Sequence, residues 1–191
     1  MDMQLDLVIY IALIIIGRFI SQRQRKSDRH KKTWQWKSLA KDITAIISVF
    51  ATAIAMGLAL FEAALRQDAI SRITLTVIGA VIIIIGWIIA YYANREIGAN
   101  WSPIIEKTKR QELVTSNIYS VVRHPLYLSG LCILIGTNLY FNSKWAWIGS
   151  VIAIITILFR IQIEEKKLKE RFGEQYAKYM KNTKAIIPWI F

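Results

Sequence analysis

Five long apolar stretches limit what this chain can fold into: Leu7–Ile16, Ile43–Phe61, Ile73–Ala93, Pro125–Phe141 and Trp145–Phe159, the last extending to Ile163. Runs of this length exceed what a small soluble core can bury. The hydrocarbon layer of a bilayer takes about 17–25 mostly apolar residues per helix. Four runs reach or approach that length, and the first does so once Leu5 and Phe19–Ile20 are included. The expected fold class is all-α, a polytopic integral membrane protein in one domain over residues 1–191. Its five transmembrane helices are expected near 5–20, 43–61, 73–93, 125–141 and 145–163.

The net charge of +12 would suit a nucleic-acid binder, but its distribution argues otherwise. Nine Lys and Arg fall in Arg18–Lys41, five in Arg95–Arg123 and eight in Arg160–Lys184, which together hold 22 of the 25 basic residues. Five crossings put all three segments on one side, as the bias of cytoplasmic loops toward Lys and Arg requires. The N-terminus, with Asp2 and Asp6, is then outside, and the C-terminus is cytoplasmic. Anionic headgroups of the lipid bilayer account for the charge, and no nucleic-acid partner is expected. The first apolar run lacks a basic segment before it and reads as a retained anchor rather than a signal peptide. Cys132, the lone cysteine, excludes an intrachain disulfide or a cysteine-based metal site, and a buried, inert thiol is expected.

Small residues four apart, Ala53 with Gly57 and Ala55 with Ala59, suit close helix approach in the second span. Gly79 and Gly86 share nearly one face of the third. Trp34 and Trp36 suit an interface. The connection from Asn94 to Arg123 is long for packed helices, yet it carries Trp101, Leu113, Val114, Ile118 and Tyr119. A disordered segment would hold fewer apolar residues, so an ordered cytoplasmic cap is expected.

The last two spans should form a hairpin turning at Asn142–Ser143. Pro125 lies 18 residues before position 143 and Arg160 lies 17 after it. At 1.5 Å per residue both stand about 26 Å from the turn. Glu164 and Glu165 lie one turn further out, level with Arg123 and His124. Counting thus gathers Arg123, His124, Arg160, Glu164 and Glu165 at one depth. Anchoring alone would explain an Arg at a helix end and a Pro in the first turn. It would not explain two adjacent Glu directly after an apolar span. His124 and Tyr127, three apart, should share a face. Beyond Ile163 a helical stripe of Leu168, Phe172, Tyr176 and Tyr179 predicts an amphipathic continuation, after which "AIIPWIF" docks at the interface or against the bundle.

No glycine-rich dinucleotide fingerprint, phosphate loop or nucleophilic triad is present, and two His residues, His30 and His124, cannot build a histidine-rich metal site. Against that background "LVTSNIYSVVRHPLYLSG" (Leu113–Gly130), "EEKKLKERFGEQYAKYM" (Glu164–Met180) and the terminal Ile187–Pro188 resemble the isoprenylcysteine carboxyl methyltransferase family. The resemblance covers about residues 98–189, and the first two helices carry none of it. It implies a membrane enzyme that transfers a methyl group from S-adenosylmethionine, releasing S-adenosylhomocysteine, to the C-terminal carboxylate of a prenylated cysteine or a small lipophilic analogue. Carried over by position, Gln111, Glu112, Leu113 and Val114 match one cofactor-lining segment. Tyr119, His124, Pro125, Leu126 and Tyr127 match a second. Glu164 matches the acidic residue closing the pocket, and Arg160 matches the basic residue assigned to the substrate and to catalysis. Leu126 stands where eukaryotic members have Ser, and Asn117 where Gly is common. Glu165 either shares the acidic role or pairs with Arg123. The competing readings are a membrane methyltransferase for another lipophilic acceptor such as a lipid amine, a nicotinamide-dependent sterol reductase, and a nonenzymatic subunit or transporter. A transporter would place ionisable groups at mid-membrane, whereas here they cluster at one end.

Overall fold

The computed structural model describes residues 3–23, 43–65, 73–98 and 112–187. Its helices are α1 (Met3–Arg23), α2 (Ile43–Leu65), α3 (Ile73–Ile97), α4 (Ile118–Val121), α5 (Pro125–Phe141), α6 (Lys144–Phe172) and α7 (Glu174–Asn182). Among the described residues the only extended pairing is one parallel bridge between Val122 and Lys184. α3 and α6 are long and apolar enough to cross a membrane, and α1, α2 and α5 contribute the shorter apolar stretches Leu7–Ile20, Ile46–Glu62 and Pro125–Phe141. These helices expose large apolar side chains along their outer faces, among them Ile15, Phe50, Ile84 and Ile152. Apolar surface on this scale demands apolar surroundings. The protein is an all-helical membrane protein.

α3 packs on α5, α2 on α6, and α1 on α3. Small residues make the first two contacts close. A Cβ on Gly136 would come within 2.8 Å of the Gly79 carbonyl oxygen, and one on Gly149 within 2.9 Å of Ala55 Cα. Ala55 and Ala59 are fully buried, as a packing role requires, while Ala53 and Gly57 are exposed, and a Cβ on Gly57 would meet nothing within 4 Å. Of the two small pairs in α2, one therefore serves packing. Polar side chains add directional contacts: Tyr10 Oη lies 3.1 Å from Thr137 Oγ1, and Asn138 Nδ2 donates to Ser150 Oγ at 2.7 Å.

The α5–α6 turn falls at Asn142–Ser143. Asn142 adopts φ 46°, ψ 46°, a left-handed conformation that Asn tolerates, and its N–H caps the end of α5. Ser143 caps α6, accepting from the Ala146 N–H at 3.1 Å. Its hydroxyl donates to Glu62 at 2.5 Å, and the same Glu62 oxygen accepts from the Trp145 N–H at 3.0 Å. A buried carboxylate is favourable there because the first N–H groups of a helix have no partners within it.

Several expectations need correction. α3 runs on to Ile97, so Asn94, Arg95 and Glu96 belong to the helix and not to the connection. The stripe from Leu168 to Tyr179 is split: Gly173, at φ 54°, ends α6 and starts α7. Tyr176 and Tyr179 are buried on the inner side of α7, whereas Leu168 and Phe172 are half-buried. Cys132 is half-buried rather than enclosed. Asp2, Trp34, Trp36, Trp101, Gln111, Pro188 and Trp189 lie outside the described residues.

A contrast between two glycines tests the packing. Gly136→Ala should destabilise the protein by about 1–3 kcal/mol through overpacking against α3. Gly57→Ala should stabilise α2 by up to about 1 kcal/mol, since Gly is a poor helix former. Unfolding midpoints in one detergent should therefore move in opposite directions.

Candidate active site

The polar cluster grows from the two ends of the α5–α6 hairpin. Arg123 and His124 lie in the extended stretch before α5, with the fully buried Pro125 at its first turn, where a missing N–H costs nothing. Arg160, Glu164 and Glu165 sit on α6 just past its apolar length. The C-terminal segment then returns alongside: the Arg123 N–H donates to the Lys184 carbonyl at 2.8 Å, and the His124 N–H to that of Ala185 at 2.9 Å. Ala185 and Ile186 are buried with Ile157 and Ile161, against Tyr127, Leu128 and Leu131. The tail thus docks against the bundle.

Two layers of charge result. In one, Arg123 holds Glu165, with Nε 2.8 Å and Nη2 2.7 Å from Glu165 Oε1. Its Nη1 donates to the carbonyls of Met180 and Thr183 beyond the Gly173 turn. In the other, Arg160 Nε donates to Tyr127 Oη at 2.5 Å, Tyr127 Oη donates to Glu164 Oε1 at 2.7 Å, and Arg160 Nη2 lies 3.0 Å from the same oxygen. His124 stands between them, its Nε2 3.3 Å from Glu165 Oε1 and its Nδ1 4.0 Å from Glu164 Oε2. His124 and Tyr127 share a face, with ring centroids 5.7 Å apart. Arg160 is 6% exposed, while the Glu164 side chain keeps 21%.

Burial opposes ionisation of Glu165, but hydrogen bonds from His124 and Arg123, with the charge of Arg123, outweigh it and hold the carboxyl below its ordinary value of 4.5. Burial raises the Tyr176 and Tyr179 phenols from 10.0, with the Glu165 carboxylate adding to the effect. Both therefore stay protonated, and Tyr179 donates to the Tyr119 carbonyl at 2.5 Å. This bond ties the end of α7 to α4, where Tyr119 is itself buried.

Glu112 is exposed, Leu113 and Val114 are half-buried in extended chain, and Leu126 is half-buried in the first turn of α5. Asn117 has φ 51° and ψ −121°, a conformation suited to Gly, the residue common there in the family that the sequence resembles. Its side chain donates to Glu96 Oε2 at 2.6 Å, and Ser116 donates to the other Glu96 oxygen. These bonds hold the Glu96 carboxyl below its ordinary value. A cleft of about 480 Å³ opens beside them, lined by Tyr92, Arg95, Glu96, Asn117 and Ile118. The contact from Glu96 to Asn117 was not legible in the sequence, because it crosses the long connection and joins residues of unremarkable type.

With this geometry in place, comparison with known proteins is decisive at the family level. The phospholipid methyltransferase family model matches residues 74–175, just over half of the chain. The chain belongs to that family. It is also similar to protein-S-isoprenylcysteine O-methyltransferases, as the motifs around His124 and Glu164 imply. The Xenopus laevis enzyme is 33% identical over 119 residues, covering 61% of this chain and 41% of that protein. The Saccharomyces cerevisiae enzyme is 32% identical over 122 residues, covering 60% and 49%. Among solved structures, that of a eukaryotic intramembrane Ras methyltransferase, an isoprenylcysteine carboxyl methyltransferase, superposes with a TM-score of 0.55 at 27% identity. It covers 78% of this chain and 52% of the other. The chain thus spans about half or less of the length of these relatives.

Arg123→Ala removes the guanidinium from which Glu165 and two carbonyls accept, at a cost of about 2–3 kcal/mol, read as a lowered unfolding midpoint. The pH dependence follows from Glu165, whose folded pKa is depressed. Its pairing contributes stability that is complete above the ordinary value of 4.5 and is lost as pH falls through the lower folded value. Glu165→Gln should flatten that acid limb of the stability profile, and an unchanged limb would count against the pairing.

Proposed function

We propose that this protein transfers the methyl group of S-adenosylmethionine to the C-terminal carboxylate of an isoprenylated cysteine. The supporting observation is Arg160, a buried guanidinium on a membrane-length helix, joined directly and through Tyr127 to a partly exposed Glu164. In this reading α1, α2, α3, α5 and α6 each cross the bilayer. The N-terminus is outside, and the cluster is on the cytoplasmic side with the three basic segments.

The donor set suits the cofactor. Glu164 offers a carboxylate to a ligand that carries an ammonium group and ribose hydroxyls, and its exposure leaves it reachable from the aqueous side. His124 and Tyr127 flank it, while Glu112, Leu113, Val114, Tyr119, Pro125 and Leu126, with Gln111, complete the lining that the resemblance assigns. When bound, S-adenosylmethionine supplies an electrophilic sulfonium methyl. The acceptor needs no general base, since a C-terminal carboxyl with pKa about 3.3–3.7 is ionised at neutral pH. The protein's task is to bind, orient and exclude water. Positioning alone lowers such barriers by several kcal/mol, up to about 7–11 in the best intramolecular cases. Arg160 suits the carboxylate because its planar fork stays charged and binds bidentately. Tyr127 and Glu164 fix the plane of that fork. The prenyl chain lies among the apolar helix faces, and the cofactor arrives from the water side.

The family description favours a second reading, methyl transfer to a lipid amine. A guanidinium beside the acceptor works against it, because methylating a neutral amine creates a second cation there.

Both readings are separated by incubating the purified protein with radiolabelled S-adenosylmethionine and either a prenylcysteine analogue or an aminophospholipid. Base-labile label on the prenylcysteine supports the carboxylate, and base-stable label on the lipid overturns it. Arg160→Lys keeps the charge beside Glu164 but loses the fork. Transfer should fall about a hundredfold, with cofactor affinity within a few-fold of the parent. Equal losses in both would reassign Arg160 to the cofactor.

A further inference from the structure

The position of His124 between the two acidic residues goes beyond the resemblance. Its Nε2 faces Glu165 Oε1 at 3.3 Å, and that same oxygen is gripped by two nitrogens of Arg123 at 2.8 and 2.7 Å. A carboxylate so paired is ionised and accepts only. The ring nitrogen facing it must therefore carry a proton. In the neutral imidazole this leaves Nδ1 as the unprotonated nitrogen, and Nδ1 faces Glu164 Oε2 at 4.0 Å. That separation is beyond hydrogen-bond reach. Glu164 Oε1, by contrast, is engaged by Tyr127 and Arg160.

We infer that Glu165, clamped by Arg123, is a positioning residue that fixes the tautomer of His124, so that His124 Nδ1 and Glu164 Oε2 form a matched pair of acceptors for one donor group of the ligand. Two acceptors 4.0 Å apart can both be reached by a single nitrogen or oxygen about 2.9 Å from each. An ammonium group meets both at once, and neighbouring hydroxyls meet one each. Without the clamp the ring would be free to place its proton on Nδ1, toward Glu164, and donor would meet donor when the ligand arrived. The adjacent glutamates thus divide the work: Glu164 touches the ligand, and Glu165 sets the state of the residue that touches it beside Glu164. The inference rests on the methyl-donor reading for the identity of the ligand, but the tautomer itself does not depend on it.

The test uses the full chain in detergent or nanodiscs, labelled with nitrogen-15 histidine. His30→Gln leaves His124 as the one labelled ring. At mildly alkaline pH the spectrum should show the Nε2–H tautomer, with Nδ1 unprotonated, before any ligand is added. Glu165→Gln should erode that preference and weaken binding of S-adenosylhomocysteine roughly tenfold. Glu165→Asp, which keeps the carboxylate, should restore both in part. An Nδ1–H tautomer in the parent protein overturns the inference even if Glu165→Gln does not fold. So does a Glu165→Gln variant that folds and keeps both tautomer and affinity. Failure of the parent to bind S-adenosylhomocysteine, with the expected tautomer present, would count against the methyl-donor reading and leave the positioning role standing.

Discussion

Charges placed at the mouth of an apolar bundle must satisfy one another, and everything else in this structure follows from how they do so. Arg123 joins three parts of the chain that are far apart in sequence: the entry to α5, the acidic turn of α6 through Glu165, and the carbonyls at the end of α7. Removing charge from water is costly unless partners replace the lost hydration. The fold supplies those partners by turning α7 back at Gly173 and laying residues 183–186 along the chain at 122–124. The position of Glu165 then determines what His124 faces, and the position of Arg160 is fixed by Tyr127 and Glu164 in the same way.

Much of this was legible because helices are regular. Counts of 18 and 17 residues from position 143 put Pro125 and Arg160 at one depth, and the structure joins Arg160 to Tyr127 in that first turn of α5. The pairing of Arg123 with Glu165 was one of two readings left open by charge, and distance selects it. Helix boundaries were less legible. Asn94, Arg95 and Glu96 look like connection because they are polar, but they continue α3 because Glu96 finds Ser116 and Asn117 across the connection. Gly173 falls within an unbroken apolar stripe, and periodicity cannot register one residue at positive φ. The role of Glu62 was illegible for a related reason: its partners Ser143 and Trp145 lie some eighty positions away.

The family match runs from residue 74 to residue 175, from α3 to the start of α7, and includes all of the charged cluster. α1 and α2 contribute at the other end of the bundle, through close packing and a few hydrogen bonds to the hairpin. Tyr10 reaches Thr137, and Ala55 lies against Gly149, so these helices hold the hairpin upright without sharing its polar end.

The far end of that hairpin has a further consequence. Glu62 and Ser143 fasten the tip of α6, while the tyrosine and the two arginines fasten its other end, so the helix between them acts as a gauge of fixed length and phase. Side chains between the two fastenings can change freely in apolar character, but their number cannot. One residue added or removed there would turn Arg160 by about 100° around the helix axis and carry it off the face where Tyr127 waits. Sequence drift along this span is therefore expected in composition and forbidden in count.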